Sequence, residues 1–346
     1  MYCELENIKI GSNYFPQLIG EIGQNHNGSM ENAKKLIDMA KECNIKLVKF
    51  QKRDIKTEFT KEAYNKPYDN PNSFGKIYGE HREFLEFSKE QHKELKDYAN
   101  NLGLVYFCTP CDIASLKILE EIGCPFYKVA SRDITNIPLL LELGKLNKTI
   151  IISTGMATYE DIDLALETLN LPDNKVIIMQ CTSEYPCPPE NCNLNVIKTF
   201  QEKYKNIIGY SDHTSGVLAS TIAILLGANI VEKHITLNRA MKGTDQAGSL
   251  EKDGLIKLNK YIKDSQSMLG NFEKKLEDNV LITKTKLMKS IVLINELKKG
   301  DLLTEDNITI KCPGNGILWK NRNVLLGKRA KEDIKEDMTL ELSMFE

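Results

Sequence analysis

Short apolar runs recur along the chain, and polar groups stand where each run ends. Glu21 ends the run at 17–21, Lys49 and Gln51 close 46–51, and Thr109 closes 105–109. Lys128 and Ser131 close 126–131, Ser153 closes 149–153, and Thr182 closes 176–182. Ser211, Asp212 and His213 follow 207–210, and Glu232 and His234 lie within 229–235. Between the runs, apolar residues fall at helical spacing. In 30–42 they are Ala33, Leu36, Ile37, Met39 and Ala40, and 91–101, 114–121, 160–169 and 217–226 follow the same form. Gly103 and Gly123 supply stop signals. Strand then helix, repeated, predicts a parallel sheet. Eight rounds with functional groups at the C-terminal strand ends predict a (β/α)8 TIM barrel. An open doubly wound sheet is the alternative. It would carry a Gly-rich phosphate turn after its first strand, and Gly23-Gln-Asn-His-Asn-Gly28 is not that turn.

The 346 residues suit a barrel plus a smaller module. Residues 57–86 are long for a loop and rich in Tyr, Asn, Pro and Gly, which predicts a substrate-covering segment at the catalytic face. Composition shifts near Phe272. Residues 1–272 read as the catalytic barrel, the charged stretch 273–289 as a linker or exposed helix, and 290–346, with short strands and turns, as a small second domain. A formal net charge of −2 with scattered Lys and Arg gives no field for nucleic acid. No apolar run reaches transmembrane length, and the N-terminus carries acids where a signal peptide carries positive charge, so the expected location is cytoplasmic. Nine cysteines, an odd number in a long chain, do not form a disulfide framework. Cys108 and Cys111 make a C-x-x-C that reads as a redox or zinc motif or as core. The strand around Cys108 favours core.

The strand ends carry the candidate chemistry. His213 and His234 end successive strands in a chain with five histidines, and two imidazoles with carboxylates nearby suit a divalent metal. Either ring could instead be a polar core residue bonded to backbone. Lys49 and Lys128 point to the mouth with hydroxyls from Ser131, Ser153, Thr182, Ser183 and Ser211, donors suited to a phosphate or carboxylate. Buried lysines need an anionic partner, which a ligand supplies. Glu21 is a base, a hydroxyl acceptor, or the partner of Lys49 across the sheet.

Glu21-Ile-Gly-Gln-Asn-His-Asn-Gly28, Lys49-Phe-Gln51, Lys128-Val-Ala-Ser131, Ser153-Thr-Gly-Met156, Gln180-Cys-Thr-Ser-Glu-Tyr-Pro186, Gly209-Tyr-Ser-Asp-His213 and Glu232-Lys-His-Ile-Thr236 resemble, in order and spacing, the sialic acid synthase family. The tail, from Lys299-Gly-Asp-Leu-Leu-Thr304 to Leu326-Gly-Lys328, is similar to that family's antifreeze-like (SAF) domain. The resemblance implies a transferase that condenses phosphoenolpyruvate with an N-acetylhexosamine to a nine-carbon 2-keto acid. It implies that Lys49, Thr109, Lys128, Ser131, Ser153, Ser183 and Ser211 hold phosphoenolpyruvate. His213 and His234 would hold a divalent metal, typically manganese, with magnesium or cobalt as substitutes. Glu21, Gln51, Tyr185 and Asp245 would face the sugar and its reacting carbonyl, which with the two histidines makes Glu21, His213, His234 and Asp245 the catalytic set. It also implies a domain-swapped homodimer in which the tail caps the partner's barrel.

The chain departs from the family pattern in places. Many bacterial members carry Arg before Pro-Gly-Asn-Gly, where this chain has Cys312, and a thiol cannot replace a guanidinium fork. Lys311 or Arg322 would have to compensate, or the acceptor differs. Ser183 stands where some members have Asn. Residues 68–82 look more like animal-type synthases, which use a 6-phosphorylated mannosamine. The Pro-Gly-Asn-Gly tail favours free N-acetylmannosamine, with its 6-phosphate or a 2,4-diacetamido-trideoxyhexose (legionaminic or pseudaminic acid synthesis) as alternatives. A synthase of seven- or eight-carbon keto acids is a more distant alternative. A carbohydrate-binding protein without catalysis is the reading from another class.

Overall fold

The computed structural model describes residues 1–346, which divide into two compact units, Met1–Gly270 and Asn271–Glu346. The first begins with an antiparallel hairpin, β1 (Cys3–Leu5) and β2 (Ile8–Ile10). Then follow β3 (Gln17–Gly23), α1 (Met30–Glu42), β4 (Leu47–Lys52), α2 (Ile55–Glu58), α3 (Lys61–Asn65), α4 (Tyr78–Leu85), α5 (Lys89–Asn101), β5 (Val105–Pro110) and α6 (Ile113–Glu121). After these come β6 (Tyr127–Val129), α7 (Ile137–Lys145), β7 (Ile150–Ser153), α8 (Tyr159–Leu169), β8 (Val176–Cys181), α9 (Val196–Lys203), β9 (Ile207–Asp212), α10 (Leu218–Leu225), β10 (Ile230–His234) and α11 (Lys252–Leu269). Strands β3 to β10 form a closed parallel barrel in sequence order, with β10 beside β3. The fold is the TIM barrel, and closure excludes the open sheet.

Local chemistry sets the element boundaries. Ser29 caps α1 through a bond from the Asn32 amide, and Asp112, Asn136 and Thr158 cap α6, α7 and α8 in the same way. Strand side chains alternate, so each inward polar residue at a strand end stands above an inward apolar one two residues earlier. Ile19 lies below Glu21, Leu47 below Lys49, Phe107 below Thr109, Ile151 below Ser153 and Ile230 below Glu232, and all five apolar side chains are fully buried. This dry layer floors the polar site above it. The β1–β2 hairpin packs at the N-terminal end of the strands. There the Thr149 hydroxyl, next to the start of β7, donates to the Glu4 carbonyl at 3.1 Å, and Cys3, Leu5, Ile8 and Ile10 join the barrel's core.

Residues 57–86, read from sequence as a long loop, are about half helical. Asp54 and Thr60 cap α2 and α3, and α4 brings Arg82 inward. Cys108 and Cys111 are buried free thiols whose pKa values burial pushes up, which makes them core residues. No helix is long and apolar enough to cross a membrane.

The second unit holds α12 (Leu281–Leu287) and an antiparallel pair, β11 (Ser290–Leu293) and β12 (Ile308–Lys311). Part of the stretch 273–289 is therefore helical. The unit has its own core of Ile291, Leu293, Leu297, Leu303, Ile308, Leu325, Ile334, Leu340 and Phe345. Cys312 is exposed, Lys311 pairs with Asp337, and Arg322 pairs with Glu305 at 2.7 Å. Both basic residues near Cys312 are thus engaged within the unit, in exposed pairs that contribute little to stability.

Leu5 is fully buried in the barrel's core although it comes from the hairpin. Leu5→Ala is expected to lower the unfolding free energy by about 2–5 kcal/mol, read from urea titration. A change under about 0.5 kcal/mol, the range of an exposed site, would mean that the hairpin is not part of the core.

Candidate active site

The inward residues of the strand ends enclose a cavity of about 340 Å³. Thirteen residues named from the sequence line it: Glu21, Lys49, Gln51, Thr109, Lys128, Ser131, Ser153, Ser183, Tyr185, Ser211, His213, His234 and Asp245. Thr182, expected among the hydroxyl donors, does not, because its hydroxyl donates to the Asn191 carbonyl at 2.8 Å. Because side chains on one strand face recur every second residue, Lys49/Gln51, Ser211/His213 and Glu232/His234 each supply one deep group and one nearer the mouth. Registry aligns them: Glu21 pairs with Lys49 on one side and His234 on the other, and Glu232 pairs with Ser211.

The deep layer is a chain of alternating charge. Lys49 Nζ lies 2.8 Å from Glu21 Oε2 and 3.7 Å from Glu232 Oε1, and Lys128 Nζ bonds both Glu232 oxygens at 2.9 and 3.0 Å. All four are buried. Burial opposes charge on Glu232, but Lys128 and then Lys49 outweigh it and hold the carboxyl well below its usual range. Burial likewise opposes charge on Lys49, yet Glu21 and Glu232 raise its pKa. Burial pulls Lys128 below the usual lysine range, with Glu232 opposing and Lys49 adding to the shift. Lys128 is the less fully compensated cation, since it faces one carboxylate and a second ammonium.

Hydroxyls surround this chain. Lys49 donates to Thr109 Oγ1 at 3.1 Å, and Ser211 Oγ lies 3.4 Å from Glu232 Oε1. The Gly155 amide donates to Ser131 Oγ at 3.0 Å. A Cβ on Gly155 would stand 2.5 Å from Ser183 Oγ and 2.9 Å from Cys181 Sγ, so only glycine lets the strand ends approach this closely. Ser153 Oγ is buried without a hydrogen-bond partner. It lines the same cavity as Lys49 and Lys128, where it is a donor open to an anion.

Nearer the mouth, the His213 and His234 rings lie 5.7 Å apart. His213 Nδ1 is 2.8 Å from the Thr182 carbonyl, which assigns the proton to Nδ1 and leaves the Nε2 lone pair free. That lone pair meets the Tyr185 hydroxyl at 3.0 Å. Burial, helped by His234, lowers the His213 pKa to about 4, so the ring is neutral near pH 7. His234 Nδ1 is buried with no hydrogen bond, and Asp245 Oδ2 is 3.8 Å away. A neutral imidazole oriented by a backbone carbonyl, with a second unsatisfied ring nitrogen and a carboxylate close by, fits a divalent cation. No cluster of three or more His, Cys, Asp or Glu ligands accompanies them, so ligand or water oxygens would have to complete the coordination. Gln51 Nε2 donates to Glu21 Oε1 at 2.7 Å and fixes that carboxylate from above.

Sequence reasoning assigned no role to Glu232, the shared partner of both lysines, although it stands beside His234 in the same strand end. It also passed over Gln24, Arg53, Arg82, Arg132 and Thr244, all of which line the cavity. Arg53 and Arg132 lie one or two residues beyond strand-end candidates, which was the available signal. Arg82 lies on α4, and no strand pattern announces it.

Residues 36–274 match the NeuB family, and residues 289–346 match the SAF domain. The chain is 36% identical over 325 residues to human N-acetylneuraminate-9-phosphate synthase, covering 93% of this chain and 90% of that protein. It is 36% identical over 326 residues to the N,N'-diacetyllegionaminic acid synthase of Campylobacter jejuni, covering 92% of this chain and 97% of that protein. The crystal structure of N-acetylneuraminic acid synthetase from Leptospira borgpetersenii, in complex with citrate, superposes with a TM-score of 0.71 at 31% identity, covering 82% of this chain and 95% of that one. The family match extends over most of the barrel, and these relatives align along nearly the whole chain: the protein belongs to the NeuB family and carries a SAF domain at its C-terminal end.

Proposed function

We propose that the chain condenses phosphoenolpyruvate with an N-acetylated amino sugar, giving a nine-carbon 2-keto acid and inorganic phosphate. The observation that carries this reading is the buried chain Glu21–Lys49–Glu232–Lys128 ringed by hydroxyls, with two oriented imidazoles above it. Family membership and the printed activities of the relatives support it.

Phosphoenolpyruvate carries a carboxylate and a phosphate, and the deep layer offers two ammonium groups. On binding, the anions take over Lys49 and Lys128 from Glu21 and Glu232. Ser131, Ser153, Ser183, Ser211 and Thr109 supply neutral donors that follow the phosphate through the reaction. The sugar enters above, with its aldehyde toward Glu21, Gln51, Tyr185 and Asp245. The C3 carbon of phosphoenolpyruvate forms a bond to the aldehyde carbon, whose oxygen takes up a proton. Water adds at C2, and the tetrahedral centre collapses by breaking its C–O bond to phosphate, which leaves a ketone. Glu21, freed from Lys49 and held by Gln51, lies where it can carry a proton to or from these oxygens or hold a sugar hydroxyl. A divalent cation, manganese by resemblance, would be held by His213 and His234 and would supply Lewis-acid polarisation of the aldehyde oxygen. Stacking the reactants in one cavity supplies attack geometry. Free N-acetylmannosamine is the acceptor that the tail favours. Assembly as a homodimer through the C-terminal unit completes the proposal.

The test is phosphate release from phosphoenolpyruvate by metal-stripped protein with manganese restored, with amino-sugar acceptors in parallel. Silence with every acceptor would defeat the reading. Lys128→Ala is expected to raise the KM for phosphoenolpyruvate by about 10- to 100-fold and that for the sugar far less, since it removes charged hydrogen bonds to the anion. The reverse pattern would count against the assignment. His234→Ala is expected to raise the metal concentration for half-maximal turnover at least ~10-fold with the far-UV circular dichroism unchanged. An identical metal response would refute its ligand role. Deleting residues 290–346 is expected to abolish turnover, and full activity of the truncated chain would remove the tail from the mechanism.

A further inference from the structure

The lysines and hydroxyls are absorbed by a phosphoenolpyruvate site, and the imidazoles by a metal. Three guanidinium groups on the same cavity wall are not. They come from separate places in the chain: Arg53 directly after β4, Arg132 directly after Ser131 beyond β6, and Arg82 on α4. Bringing three cations together is unfavourable unless anions compensate them. Glu58 bonds Arg132 at 2.9 Å and lies 3.4 Å from Arg53 Nε, Glu86 lies 3.6 Å from Arg53 and 3.2 Å from Lys52, and Asp133 lies 3.3 Å from Arg132. Lys52, Arg53 and Arg132 therefore share three carboxylates, and Arg82 is a fourth cation without one. None of the three carboxylates lines the cavity, whereas all three arginines do. Arg82 has no acid partner; its guanidinium is held by the Gln24 side chain at 2.5 Å and by the Tyr78 hydroxyl at 2.7 and 2.9 Å. Arg53 is 4% exposed, and its guanidinium is engaged by Glu58, Glu86 and Gln51. A guanidinium without an acid partner, Arg82, on a wall with an excess of positive charge calls for an anion from solution.

We propose that Arg53, Arg82 and Arg132 form a subsite for the phosphate monoester of the acceptor, so that the substrate class is a phosphorylated N-acetylamino sugar rather than the free sugar. The proposal rests on the synthase reading and specifies its acceptor. Planar guanidinium forks match phosphate oxygens two at a time, a geometry that ammonium groups lack. The location separates this anion from phosphoenolpyruvate. Arg53 donates to Gln51 Oε1 at 2.7 Å, and Gln51 in turn donates to Glu21, so the arginines continue from the sugar-facing groups. The deep lysines, by contrast, already have matched carboxylates to exchange for the two anionic groups of phosphoenolpyruvate. The tail motif alone favoured a free sugar. That same tail lacks a guanidinium at Cys312, whereas the barrel wall presents three.

The test measures phosphate release at saturating phosphoenolpyruvate and manganese, with N-acetylmannosamine and its 6-phosphate as the two acceptors, using the full chain. The expected result is a kcat/KM for the 6-phosphate at least about 10-fold higher. Arg82→Ala and Arg132→Ala should each raise the KM of the 6-phosphate by about 10- to 100-fold. The same variants should move the KM of the free sugar and of phosphoenolpyruvate by less than ~3-fold, and Arg132→Lys should recover only part of the loss, because an ammonium cannot form the fork. Equal or better use of the free sugar, equal losses for both sugars, or a loss confined to phosphoenolpyruvate would each overturn the subsite while leaving the synthase reading in place. No release with either sugar would overturn the subsite, and silence with a 2,4-diacetamido-trideoxyhexose as well would remove the synthase reading with it.

Discussion

The active-site end of this barrel depends on one arrangement: four ionised side chains, two acids and two lysines, sealed in line with no net charge. Any one of them alone in that position would be prohibitively costly to bury. Together they satisfy one another at 2.8 to 3.7 Å and hold the ends of β3, β4, β6 and β10 in register. The network is structural, and in the proposed reaction its bonds are the ones exchanged for bonds to a ligand anion. Glu232 is the pivot, because both lysines lean on it. That explains why its carboxyl is held so far toward the ionised form while Lys128, with less compensation, is pulled the other way.

Above this layer the chemistry changes from charge to coordination and shape. The two-residue repeat of the strand carries the change, placing a charged or hydroxyl side chain deep and a histidine or glutamine one step higher. At the Gly155 contact the ends of β7 and β8 come so close that a single methyl group would displace Ser183. The hydroxyl ring is therefore fixed by backbone packing, and little conformational adjustment is left to be made when a ligand binds.

Much of this could be read in the sequence, for a physical reason. A parallel barrel strand is apolar until it reaches the mouth, so a polar residue that ends an apolar run marks both the strand's end and a cavity-facing group. Lys49, Lys128, His213 and His234 all announce themselves in this way. Features without that signature were missed. The β1–β2 hairpin is short and close to the N-terminus, and its alternating pattern is too brief to stand out. Helix α7, Ile137-Pro-Leu-Leu-Leu-Glu-Leu-Gly-Lys145, buries Leu139, Leu140 and Leu143, a short leucine run that was passed over. Residues 57–86 carry loop-like Asn, Pro and Gly, yet capping by Asp54 and Thr60 winds parts of the segment into helix. The arginine wall was invisible for a different reason: Arg53, Arg82 and Arg132 meet only through tertiary structure, and each alone looks like ordinary surface charge. Glu232 was seen at its strand end, but its role required knowing which lysines faced it across the barrel.

The hairpin below the barrel and the dry layer of Ile19, Leu47, Phe107, Ile151 and Ile230 close the far end of the cavity. The chamber is therefore a blind well with a single door. Two ligands that seat one above the other in such a well cannot arrive in either order. The one that belongs on the floor has to be in place before the upper one covers it, and nothing can leave the floor while the upper ligand remains. Sequence in time is imposed by depth, without any moving part.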